Sequence, residues 1–253
     1  MTQGSNEMLS LSGKRILVTG ASSGIGREVA LLAGRLGATV CCVARDPARM
    51  KETVDQLAGS GHVFRLFDLN DHEGIPRLIY ELKPLDGLVH AAGIQQTIPF
   101  RLLSVEQLRK TTSVNSEAGL VLARCFQNKD VCKGPTGSIV YVSSILARVG
   151  APGVVAYSFA KGALEGMTRS LALELAPRRI RVNCLAPGYV RTPMLQDMER
   201  VWSQEHMREL ESLHPLGLGT AEDVAAAAAF LLADCSRWIT GTVLTVDGGY
   251  TAR

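Results

Sequence analysis

Apolar and polar residues follow one another along this chain in blocks. "KRILVTG" (14–20) is a short apolar run that ends in glycine, and "IGREVALLAGRLG" (25–37) then repeats its apolar residues at helical spacing up to a glycine stop. The rhythm continues through a strand "ATVCCVAR" (38–45) and a helix over 46–57 with Asp46 as N-cap and Pro47 in its first turn. A strand "HVFRLFDL" (62–69), a helix near 73–82 and a strand "LDGLVHAAG" (85–93) come next. A helix at about 105–127 leads to "GSIVYVSS" (137–144), and a helix at about 155–176 leads to "IRVNCLAP" (180–187). The Ala-rich "AEDVAAAAAFLLAD" reads as a helix packed closely on a neighbour, and "GTVLTVDGG" closes the set. The strand-like runs are apolar throughout, as strands covered on both faces are.

Seven such strands alternating with helices predict an α/β fold: a single doubly wound, Rossmann-type domain with a seven-stranded, mostly parallel sheet and helices on both faces. The expected division is a flexible arm over 1–12 and one catalytic domain over 13–253, with no repeat or linker inside it. Residues 193–219 break the rhythm. Their apolar Met194, Leu195, Met198, Val201, Trp202 and Met207 predict one or two short amphipathic helices, either a lid over an apolar pocket or a segment packed on the domain.

Composition narrows the partners. Of 253 residues 46% are hydrophobic and 20% charged, ordinary for a globular chain with a sizeable core, and a net charge of +3 with no basic stripe argues against nucleic acid. No apolar run reaches the roughly 18 residues of a membrane span, and the first residues lack the apolar centre of a signal peptide, so a cytoplasmic location is expected. The six cysteines form no C-x-x-C and have no histidine at ligand spacing; buried, reduced thiols and no metal are expected.

In a doubly wound sheet ligands bind beyond the carboxyl ends of the strands. After the first strand comes "TGASSGIG" (19–26), whose Gly20, Gly24 and Gly26 allow a tight turn. That turn offers backbone N–H groups, with Ser22, Ser23 and Ile25, to a pyrophosphate at a helix start. At the end of the second strand, where an acidic residue would hold the ribose 2′-hydroxyl of NAD, stand Ala44 and Arg45. A guanidinium there suits a 2′-phosphate, so NADP(H) is the expected cofactor.

The G-x-x-x-G-x-G spacing, "HAAG" (90–93), Asn115, Ser144 and the Tyr157/Lys161 pair together resemble the short-chain dehydrogenase/reductase family, over nearly the whole chain from Lys14 to Gly249. The resemblance implies that Asp68 and Leu69 meet the adenine, that Ala91, Ala92 and Gly93 pass under the nicotinamide ribose, and that Pro187, Gly188, Val190 and Thr192 line the nicotinamide. It also implies that Asn115 interrupts a helix and holds a water behind Lys161. The family more often has Asn-Asn-Ala-Gly where this chain has His90 and Ala91, and His90 reads as a structural histidine.

Tyr157 and Lys161 are four apart, which puts both on one helix face. Hydride delivered to a carbonyl carbon leaves charge on its oxygen, and a proton donor must meet it. A nearby ammonium is expected to lower the phenol's pKa from about 10. Lys161 also reaches the ribose hydroxyls in the family's pattern, and Ser144 orients the substrate oxygen, with its neighbour Ser143 as the alternative.

The expected activity is NADPH-dependent reduction of a small or 3-oxoacyl ketone, resembling the 3-oxoacyl-(acyl-carrier-protein) reductases and their ketoreductase kin. An NAD-linked alcohol or sugar dehydrogenase and a dinucleotide-binding sensor are the alternatives. Arg178 and Arg179 fall where a carrier-binding cluster is expected, while the second cluster retains only Lys133. The resemblance further implies pairing of the 105–127 and 155–176 helices across a two-fold axis and a second contact through the C-terminal segment, giving a homotetramer, or a homodimer if one contact alone forms.

Overall fold

The computed structural model describes residues 8–200 and 202–252; the expected arm's residues 1–7, and Val201 of the expected lid, lie outside the described residues. Leu11, within the expected arm, is wholly buried, and its N–H donates to the Leu36 carbonyl at 2.9 Å.

The elements follow the apolar blocks. They are β1 (Arg15–Thr19), α1 (Gly24–Arg35), β2 (Thr39–Ala44), α2 (Pro47–Val54), β3 (Val63–Leu66), α3 (Ile75–Leu82) and β4 (Gly87–His90). After them come α4 (Val105–Thr112), α5 (Ala118–Phe126), β5 (Gly137–Val142), α6 (Val155–Leu175) and β6 (Ile180–Pro187). The two-residue strands β7 (Val190–Arg191) and β8 (Gly219–Thr220) bracket α7 (Pro193–Glu199) and α8 (Gln204–Ser212), and α9 (Ala221–Leu232) precedes β9 (Val243–Val246). Asp46 caps α2 as expected, accepting from the Arg49 N–H.

The main sheet has the order β3-β2-β1-β4-β5-β6-β9 and is parallel throughout. Chain order reverses between β1 and β4, so the connections after these two strands leave in opposite directions and open a crevice at their carboxyl ends. Successive residues of a central strand serve opposite layers. Val18, Cys42, Val89 and Val140 join one core with residues of α1 and α9, while Leu17, Cys41, Leu88 and Ile139 join a second with residues of α3, α5 and α6. That double duty is why the central strands are apolar on both faces along most of their length. The edge strands depart from it: β3 leaves Phe64 and Leu66 about half exposed, and β9 is half-buried along its length. An edge strand lacks one neighbour, and apolar composition alone does not reveal that.

The helix expected over 105–127 is broken. Ser104 and Gln107 form a reciprocal capping box at its start, and residues Ser113–Glu117 form one π turn between α4 and α5. The segment 193–219 contains the two short helices α7 and α8. No helix among the described residues is long and apolar enough to cross a membrane.

Candidate active site

The first half of the site forms where β1 turns into α1. Gly20 sits at φ +71°, and a Cβ there would lie 2.8 Å from the Ala92 nitrogen. The loops after β1 and β4 are therefore in backbone contact at the point where chain order reverses. A Cβ on Gly26 would stand 2.4 Å from the Gly20 carbonyl oxygen, so glycine is what lets α1 begin directly under the turn. Ser23 is the N-cap of α1 in extended conformation, and its hydroxyl makes no cap bond. The first N–H groups of α1 have no partner within the helix, and Ser22 and Ser23 line the cavity in front of them.

That cavity continues past Ala44, Arg45 and Arg49 to Asp68 and Leu69, as the sequence placed them, Arg49 excepted. Arg45 Nη1 lies 3.9 Å from Asp68 Oδ2, and Arg49 Nε lies 3.4 Å from Asp46 Oδ2; both pairs are largely exposed. Two guanidinium groups thus flank one rim. Arg49 went unread because the motif stops at the strand end; its signal is a position one helical turn after Arg45.

The second half lies beyond Gly93, which lines both cavities. A Cβ on Gly93 would come 3.1 Å from Asn115 Oδ1 and 3.3 Å from Lys161 Nζ, so any larger residue would press on both side chains. Asn115 is wholly buried in the π turn. Its Oδ1 accepts from the Ile94 N–H at 2.7 Å and its Nδ2 donates to the Ile94 carbonyl at 2.9 Å. The expected helix break is present, and the side chain clamps the loop after β4.

His90 is fully buried and satisfied, the structural histidine the sequence indicated. Its Nε2 faces the Asn115 carbonyl at 3.3 Å and so carries the proton, leaving Nδ1 to accept from the Thr19 hydroxyl at 2.9 Å. Burial, followed by the charge of Lys161, pushes this imidazole down to about 4, and it is neutral at ordinary pH.

Ser144, Tyr157, Lys161, Pro187, Gly188 and Val190 line the second cavity together, with Ile25 and Ala91 at its edge. Side chains alternate at the end of β5, and the two serines have different partners. Ser143 donates to the Lys161 carbonyl at 2.9 Å, whereas the Ser144 hydroxyl is hydrogen-bonded to the Tyr157 phenol and also accepts from the Leu146 N–H at 3.2 Å.

The electrostatics differ from the sequence expectation. Lys161 Nζ lies 5.6 Å from the centre of the Tyr157 ring and donates to the Val142 carbonyl at 2.7 Å. Burial pushes Tyr157 up to about 12, outweighing the Ser144 hydrogen bond, and pushes Lys161 down to about 8. Desolvation of each charged form exceeds the attraction between them.

Thr192 lines the same cavity. Its hydroxyl donates to the Val190 carbonyl at 3.2 Å and accepts from Leu195 as the cap of α7. Helix α7 turns Met194, Leu195 and Met198 into the cavity, and Gln95 Nε2 donates to Met198 Sδ at 3.2 Å across its mouth. Trp202 packs on Tyr189 at 6.3 Å, and Tyr189 in turn on His214 at 5.9 Å, pinning the segment to the domain. Within residues 193–219, α7 lines the pocket, while Trp202 and His214 contact Tyr189. Gln95 and Tyr189 carried no signal in the sequence, since only the fold brings the loop after β4 opposite α7. Arg178 donates to Gln127 and to the Cys132 carbonyl at the amino end of β6, the end of the sheet away from Tyr157. Among the described residues no group of three His, Cys, Asp or Glu is placed to hold a metal.

Comparison with known proteins agrees with this geometry. A family model described as enoyl-(acyl carrier protein) reductase matches residues 20–251. Carbonyl reductase (NADPH) 2 of Sus scrofa is 34% identical over 96% of this chain and 99% of its own. A 3-oxoacyl-(acyl-carrier-protein) reductase of Rickettsia conorii is 34% identical over 96% of this chain and 98% of its own. A crystal structure from Agrobacterium tumefaciens, described as a 2-deoxy-D-gluconate 3-dehydrogenase with bound NADP, superposes with a TM-score of 0.90 at 32% identity, covering 97% of this chain and 99% of the other.

The depressed lysine has a consequence for stability. An unfolded lysine releases its proton near about 10.4, whereas Lys161 releases it near about 8 in the folded chain. Between those values the unfolded state holds one proton more, so the contribution of Lys161 makes stability rise with pH and is fully unfavourable below the lower value. In urea titrations the wild-type midpoint should gain on that of Lys161→Met from about pH 7 to about pH 10. A constant difference between the two would refute the assignment.

Proposed function

This chain belongs to the short-chain dehydrogenase/reductase family and is an NADPH-dependent oxidoreductase; from that premise we propose that it reduces a ketone to a secondary alcohol with Tyr157 as proton donor. The observation that carries this reading is the hydrogen-bonded Ser144–Tyr157 pair. It faces the same cavity as Lys161, and that cavity meets the dinucleotide-shaped one at Gly93.

The residues present fit the cofactor. Ser22, Ser23, Gly24 and Ile25 at the start of α1 would hold the pyrophosphate, and Arg45 with Arg49 the 2′-phosphate. Asp68 and Leu69 would meet the adenine, Ala91 and Ala92 the ribose, and Pro187, Gly188, Val190 and Thr192 the nicotinamide. NADPH bound there supplies the hydride.

The remaining chemistry belongs to the chain. Ser144 donates to the carbonyl oxygen and fixes its position. A phenol pushed up to about 12 keeps its proton at neutral pH, as a donor must, and gives it up only when charge develops on the substrate oxygen. Lys161, still largely protonated at neutral pH with its value near about 8, then faces the phenolate left behind. Asn115 is a positioning residue, holding Ile94 and so the turn at Gly93.

We also propose self-association through the outer face of α4, α5 and α6. It exposes Val105, Leu120, Phe159 and Leu173, each at least half exposed, and single scattered residues are the norm for a free surface. Sedimentation equilibrium should give a dimer or tetramer; a monomer at micromolar concentration would exclude it.

Tyr157→Phe should lower the rate of ketone reduction by about a thousand-fold while leaving the NADPH dissociation constant, read by fluorescence, nearly unchanged. A loss under about ten-fold would rule out Tyr157 as the donor. Arg45→Ala should weaken NADPH by about ten- to a hundred-fold and leave NADH unaffected; equal weakening of both would refute the 2′-phosphate contact.

A further inference from the structure

The second cavity has a particular chemical balance beyond its reacting centre. Away from Ser144 and Tyr157 its walls are Leu146, Met194, Met198 and the Tyr189 ring, all apolar or aromatic. Lys161 is the one cation among the described residues that line it, and its ammonium is committed to the Val142 carbonyl beneath the tyrosine. A carboxylate or phosphate on the distal part of a substrate would lose its water against thioethers and leucine, with no positive charge to meet it.

The hydroxyls of Ser143 and Thr192 also line this cavity but are bonded to the Lys161 and Val190 carbonyls, which leaves one weakly held polar group in its wall. Gln95 extends from the loop after β4 into the cavity, opposite α7. The single hydrogen bond recorded for its side chain runs from Nε2 to the Met198 thioether at 3.2 Å. A thioether is a weak acceptor, and an oxygen of a bound molecule replaces it at little cost. The Gln95 amide thus offers a donor held by a poor partner.

Resting on the ketone-reduction reading, we propose that Gln95 determines substrate specificity by hydrogen-bonding a second, uncharged oxygen function near the reacting ketone, while Leu146, Met194 and Met198 take an apolar tail. The substrate class is then the neutral oxo compound with a neighbouring ester, ketone or hydroxyl oxygen. Oxo acids and phosphates are excluded by the missing counter-charge. The same amide, by leaving Met198 for the substrate, exchanges a lid contact for a substrate contact, so that selection occurs at the cavity mouth.

Three probes separate these features: ethyl 3-oxobutanoate, hexan-2-one and the 3-oxobutanoate anion. With NADPH the wild type should favour the ester over the simple ketone by about ten-fold in KM, and should handle the anion at least about a hundred-fold less well than the ester. Gln95→Leu should raise KM for the ester about ten-fold more than for hexan-2-one. Met198→Leu, which removes the sulfur but keeps the bulk, should hold the ester-to-ketone ratio within about two-fold of wild type. The proposal is overturned by equal KM changes for both neutral substrates in Gln95→Leu, by an ester-specific loss in Met198→Leu that matches it, or by wild-type use of the anion on a par with the ester.

Affinity for the product alcohols, measured by calorimetry with NADP⁺ present, separates this proposal from the reading beneath it. Preferential binding of ethyl 3-hydroxybutanoate over hexan-2-ol without turnover of any ketone would sink ketone reduction and leave the role of Gln95 standing. Turnover of hexan-2-one with no ester preference in binding or KM would do the reverse.

Discussion

Desolvation acts in opposite directions on two side chains one helical turn apart, and the chemistry of this chain follows from that. Tyr157 and Lys161 both point from α6 into the protein, and burial penalises the charged form of each. The phenol is held protonated and the ammonium is made easier to deprotonate, which drives their two values apart from both sides. That separation is set by burial. It depends on a dry wall, which Leu146 and Val154 supply beside the tyrosine.

The wall is dry because the backbone closes around it. The turn at Gly93 lies tight against the Asn115 and Lys161 side chains, and Asn115 clasps both backbone polar groups of Ile94. His90 ties the ends of β1 and β4 to the π turn through Thr19 and the Asn115 carbonyl. Three segments distant in sequence are thereby fixed at the junction of the two cavities without a charged group. Neutral buried hydrogen bonds suit that place, since a fixed charge there would compete with the one that moves.

Much of this was legible in the amino-acid order. The double-sided burial of β1, β2, β4, β5 and β6 produces largely apolar runs, and Gly20 and Gly26 stand where a Cβ would collide with backbone. The Tyr157–Lys161 spacing survives because both lie on one helix and need no tertiary information. What the order concealed depends on the fold. The edge character of β3 is a property of its neighbours, and the pairing of Gln95 with Met198 links residues 103 apart in sequence. The direction of the tyrosine's shift was misread because a short sequence distance reveals a partner but not the loss of solvent that outweighs it.

The π turn at Ser113–Glu117 also sets a phase. One surplus residue in a helix of 3.6 residues per turn rotates everything downstream by about 100° about the axis. Helix α4 therefore leans on α6, while α5, continuing the same axis, presents its apolar residues to α3. The segment works as two differently aimed rods in series, and its length in residues, not only its composition, fixes which neighbours each rod meets.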